Sequence, residues 1–146
     1  MMKKIALFVL LSGFLSINAY DLDQLDAIFQ TNRVTELPQI ALNLSARGSI
    51  QQSKGQYKEA LELYEQSLKL REKLGLDKTM GYATVLFLSS IVHHKTGESC
   101  KAVNKIGMAI DIYNNLGKKE EARVAEEEGL NIFKSSCLSS NLVSQN

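Results

Sequence analysis

Apolar residues recur at helical spacing over much of this chain, and Ala60, Leu61, Tyr64, Leu68 and Leu70 show the period best. They predict a helix from about Tyr57 to Leu74. A helix from about Pro38 to Ser53 precedes it, with Pro38 tolerated in the first turn. Lys54-Gly55-Gln56 makes the turn between the two. Gly75 ends the second helix and Asp77 is the expected N-cap of a third, which runs to about Lys95. Thr96-Gly97-Glu98 turns the chain again, a fourth helix covers Ser99 to Leu116, and Gly117 separates it from a fifth, Lys118 to Lys134. Ahead of these, Leu22, Leu25, Ile28 and Phe29 mark a short amphipathic cap helix within residues 20–37. The Ser- and Asn-rich residues 135–146 read as a frayed, flexible tail.

The helices repeat. A shift of 42 residues lays Ala41 on Ala83, Leu44 on Leu86, Gly55 on Gly97, Ala60 on Ala102, and Leu74-Gly75 on Leu116-Gly117. It also pairs Ile50 with Val92, Leu68 with Ile110, and Gly48 with Ser90. Small residues at matched places have a packing reason: Ala60 and Ala102, like Gly48 and Ser90, let paired helices approach closely.

Gly55-Gln56-Tyr57-Lys58-Glu59-Ala60-Leu61, followed by Tyr64 and Ser67-Leu68, resembles the core signature of the tetratricopeptide repeat. In that family a Gly ends the first helix, an aromatic opens the second, and an Ala sits at their crossing. The resemblance covers residues 38–134, about two and a half repeats. It is weaker in the second unit, where Ser99 replaces the aromatic. A 42-residue period is longer than the usual ~34 and is similar to the variety in kinesin light chains. The implied fold is an all-α solenoid of antiparallel helix pairs; the alternative is a plain bundle of five or six helices.

The first residues change the compartment. Met1-Met2-Lys3-Lys4, an apolar run from Ile5 to Leu11, and small residues up to Ala19 form a secretory signal peptide over residues 1–19. Ile5 to Leu15 is too short to span a bilayer, which takes ~20 apolar residues. The expected product is exported, periplasmic or fully secreted, without a membrane span after cleavage. Lys3 and Lys4 leave with the signal, so 15 of the 17 basic residues remain against 16 acidic ones. That balance gives no electrostatic footprint for nucleic acid.

In an oxidising compartment Cys100 and Cys137 read as a disulfide. Cys100 opens the fourth helix and Cys137 lies just past the expected end of the fifth. If the two helices form a hairpin about Gly117, each arm rises ~24 Å over sixteen residues, bringing both thiols to the same end. Two free thiols, or one bridge between chains, are the alternatives.

Little catalytic chemistry can be assembled. His93 and His94 are neighbours, so they point about 100° apart on a helix and cannot clasp one ion. His93 is expected between helices. The Glu120-Glu121 and Glu126-Glu127-Glu128 runs read as a solvated face. No phosphate loop or Ser/His/Asp arrangement is present. The expectation is a non-enzyme with neither cofactor nor metal; a thiol-dependent enzyme using Cys100 is the remote alternative.

The resemblance implies a concave binding face on the first helix of each pair. Its positions here are Ser45, Ser49 and Gln52, then Thr84, Phe87, Ile91 and His94. Family members that grip a terminal carboxylate carry Lys and Asn at these places, which are absent here. Phe87 and Ile91 offer instead an apolar contact for a hydrophobic or amphipathic segment. They serve equally well as packing against the fifth helix or the cap. An adaptor for a protein or peptide partner is the expected role, with a homo-oligomer built on the solenoid's end faces as the alternative.

Overall fold

A computed structural model describes residues 36–143, with the side chains described through Ser140. The expected signal peptide and the cap helix on Leu22, Leu25, Ile28 and Phe29 lie outside the described residues, apart from the cap's last two positions. Helices follow one another as α1 (Leu37–Ser53), α2 (Tyr57–Lys73), α3 (Met80–Lys95), α4 (Ser99–Asn115), α5 (Lys119–Ala125), a π-turn (Glu126–Leu130) and α6 (Asn131–Val143). There is no strand among the described residues. α1 pairs with α2 and α3 with α4, each pair packs on the next, and the chain is an all-α solenoid.

Each turn is built the same way. At the end of α1, Gly55 has φ 75°, a left-handed conformation that a Cβ would disfavour. It lets Gln56 N–H reach the Gln51 carbonyl at 2.9 Å and Gly55 N–H the Gln52 carbonyl at 3.0 Å. These two bonds satisfy carbonyls that the helix end would otherwise leave open. The same pair recurs at Gly75, Gly97 and Gly117. The third helix starts later than Asp77 predicted: Thr79 is the N-cap, its Oγ1 accepting from Tyr82 N–H at 3.3 Å.

The core lies between the paired helices. Ala60, Ala102 and Ser90 are fully buried, and Gly48 faces the Tyr64 ring, also fully buried. Ser67 on α2 donates to the Ala41 carbonyl on α1 at 2.7 Å and accepts from Arg71 Nε at 3.3 Å. Arg71 is buried, which lowers its pKa, and its guanidinium lies against Gly81 of α3. A side chain at that glycine would displace it, so the first pair is keyed to the second.

The end of the chain departs from the sequence reading twice. The single helix expected over Lys118–Lys134 contains a π-turn, where a Cβ on Gly129 would run into Cδ1 of Ile106 on α4, leaving room for glycine alone. The tail expected from Ser135 is helical through Val143. Its serine hydroxyls are satisfied within the helix: Ser135, Ser136, Ser139 and Ser140 each donate back to a carbonyl three or four residues earlier. Cys137, one turn beyond Phe133, is joined to Cys100 with Cα atoms 4.8 Å apart.

Candidate functional site

The seven positions expected along the concave face divide into different environments. Ser45 is 8% exposed and its hydroxyl donates to the Leu42 carbonyl of its own helix at 2.9 Å, so it presents little to a partner. Ser49 and Gln52 line a polar hollow of about 600 Å³ together with Ser53, Lys54, Tyr57 and Lys95. Gln52 Oε1 accepts from the Tyr64 phenol at 2.7 Å. Burial pushes that phenol's pKa up, with Ser49 pulling in the opposite sense.

On α3, Thr84 donates to the Met80 carbonyl at 2.9 Å and lies 3.5 Å from the Tyr113 hydroxyl. Ile91 is half-buried and packed on the core. His94 is held internally: its Nδ1 is 3.0 Å from the Ser99 hydroxyl, and its ring lies 4.6 Å from that of Phe133 on α6. His93 is partly buried beside the turn, its Nδ1 2.7 Å from Glu98 Oε2. Lys101, then His93, hold the Glu98 carboxyl below the usual carboxylate range.

Phe87 has a different setting. It too packs against the core, but part of its ring lines a second hollow, of about 310 Å³, with Tyr113 and Val124. Glu120 and Glu121 form the rim. Arg123 bonds Glu120 through two nitrogens at 3.0 and 2.5 Å and also reaches Glu127 at 2.5 Å. Glu121 has no ion pair among the described residues. Tyr113 is pushed up mainly by burial, with Glu121 adding to the effect. The arrangement can accept an apolar side chain and favours a cation beside it.

Most contributors to these hollows were missed from sequence, Lys54, Lys95, Tyr113 and Glu121 among them. Lys54 and Lys95 sit at helix ends, outside the repeat positions that define the face, although aligning Ser53 with Lys95 would have exposed the second. Tyr113 belongs to α4, the second helix of its pair, and not to the first helices that were expected to define the face. Glu121 was assigned to a solvated face; that it follows directly on the Gly117 turn was the available signal. Cys100, on which the thiol-enzyme alternative depended, is held in the disulfide. Among the described residues no group of three or more side chains could hold a metal ion, and no helix is long and apolar enough to cross a membrane.

Residues 39–115 match a family model described as Tetratricopeptide repeat. A search of the curated proteins finds no match.

Proposed function

Because the chain belongs to the tetratricopeptide-repeat family, whose repeats serve protein interaction, we propose that it is an exported adaptor for a protein partner. The observation that carries the reading is the half-buried Phe87 at the hollow shared with Tyr113 and Val124. An apolar side chain of a hydrophobic or amphipathic segment enters there, and Glu121 favours a basic neighbour in that segment. Ser49 and Gln52 offer polar contacts further along the first helices. Export follows from the signal-like residues 1–19, and places the adaptor in the periplasm or outside the cell.

The test joins capture to a single substitution. Protein recovered from its native envelope by affinity capture and mass spectrometry identifies the partner. Phe87→Ala then weakens that binding by about 1–3 kcal/mol, the usual loss for an aromatic anchor. If the variant melts several degrees lower while the partner binds as before, Phe87 is core alone and the reading fails.

A second reading is self-association through the ends of the solenoid. Leu42 and Ile50 are 51% and 53% exposed on α1, and Ile132 and Leu138 are 49% and 66% exposed on the last helix. Light scattering on the mature protein separates the two: a monomer excludes the second reading.

A further inference from the structure

The side of the molecule formed by the second helices holds a hollow of its own. α2 and α4 lie near one another there, with Lys105 Nζ 3.4 Å from Glu65 Oε2. Beside them is a cavity of about 600 Å³ whose apolar lining includes Met108, Ile112 and Leu116, spaced four residues apart along α4 and its C-cap. Met108 and Leu116 are 48% and 43% exposed, large apolar side chains left facing water. The remaining wall is acidic: Glu72, Asp77 and Asp111 line the cavity, against Lys78 as the only cation in its lining.

The repeat shows that this chemistry is not a packing requirement. Shifted back by 42 residues, Met108 falls on Gln66 and Asp111 on Lys69, so the matched positions carry a polar and a basic residue in the first unit, Lys69 exposed and Gln66 partly buried. Ile112 falls on Leu70, which is 1% exposed, whereas Ile112 is only partly buried. The second unit has therefore become more apolar and more acidic at matched places, and has left the patch open.

We propose that this face is a second docking site, separate from the Phe87 hollow, for a basic amphipathic segment of a protein partner. An apolar side chain of the segment seats on Met108, Ile112 and Leu116, and Lys or Arg side chains within a helical turn of it pair with Glu72, Asp77 and Asp111. The charge excess selects the occupant: three carboxylates on an apolar floor repel an acidic segment and attract a cationic one. The Tyr82 phenol at the cavity wall reports the same field. Its pKa is raised first by burial, and then by its hydrogen bond to Glu72 and the charges of Glu72, Asp77 and Glu65.

A display library of random peptides about twelve residues long, selected on the full mature protein, tests this. The variant Met108→Gln/Asp111→Lys is selected in parallel; it carries the residue types found at the equivalent places in the first unit, so the repeat tolerates them. The expected winners on the unaltered protein place Lys or Arg within a turn of Leu, Met or Phe. Their affinity falls at least about tenfold on the double variant, and falls again as NaCl is raised from about 0.05 to 0.5 M. Winners that are acidic or uncharged overturn the proposal. So does binding that the double variant leaves within about twofold. A dimer in light scattering that the double variant dissociates also overturns it, since the occupant would then be a second copy of this chain.

Discussion

Replacing Gly48 with alanine adds one methyl group where α1 crosses α2. Its Cβ would lie 2.7 Å from both Cδ1 and Cε1 of Tyr64 and 3.3 Å from the Ala60 carbonyl oxygen. Carbon atoms prefer ~3.5–4.0 Å, so the new methyl intrudes by about 1 Å. Neither neighbour yields easily. The carbonyl is helix backbone, and the Tyr64 ring is fully buried with its phenol bound to Gln52 at 2.7 Å. Overpacking of this kind costs about 1–3 kcal/mol, against about 1 kcal/mol recovered from alanine's better helix propensity. The net loss is up to about 2 kcal/mol, a fall in melting temperature of up to about 10 °C.

Gly107→Ala is the matched control. Gly107 also lies inside a helix, α4, but a Cβ there meets nothing within 4 Å. Only the propensity gain remains, so the variant is stabilised by about 0.5–1 kcal/mol and melts a few degrees higher. Thermal unfolding followed by circular dichroism reads both. One chemical change with opposite signs at two sites is the expectation. Should both variants shift the same way, the tight crossing at Gly48 is not what holds the first pair together.

The disulfide and the mature end give two further expectations. Closing a 37-residue separation stabilises the fold by about 3–4 kcal/mol on the chain-entropy model, so reduction lowers the melting temperature by roughly 10 °C or more. Non-reducing mass spectrometry of the exported protein finds no alkylatable thiol; two such thiols or a covalent dimer would refute the intrachain bridge. Intact mass of protein from its native host places the mature N-terminus at Tyr20, and a product that keeps Met1 and stays in the cytosol would remove the case for export.

The repeat was legible because its positions are constrained by contact or by backbone. Ala60 and Ala102 have no room for a larger side chain, and the glycines that end α1 to α4 all have positive φ. Such residues leave a mark in a single sequence. The candidate face was only half legible. Periodicity assigns a residue to a side of a helix but says nothing of how deep that side lies. Periodicity put Ser45 and His94 on that side alike, yet Ser45 is buried and His94 is partly buried with its ring against Ser99 and Phe133. The length of the last helix was hidden for another reason. Ser and Asn lower helix propensity on average, but here Cys137 anchors the helix from the side, a tertiary contact that propensity does not register.

The terminal helix has more to do than close the solenoid. It packs chiefly on α4, since no second helix follows to complete its pair among the described residues. It is attached at one end through the Gly117 turn and near the other through Cys137. Its first turns supply Glu120, Glu121 and Val124 to the Phe87 hollow, and Phe133 braces His94. A bridge that stops this helix from swinging off α4 therefore also fixes one wall of that hollow. The cavity on Met108 and Ile112 takes no residue from the terminal helix. Breaking the bridge should loosen whatever the Phe87 hollow holds while leaving the outer cavity formed, so the two surfaces differ in their sensitivity to a reductant.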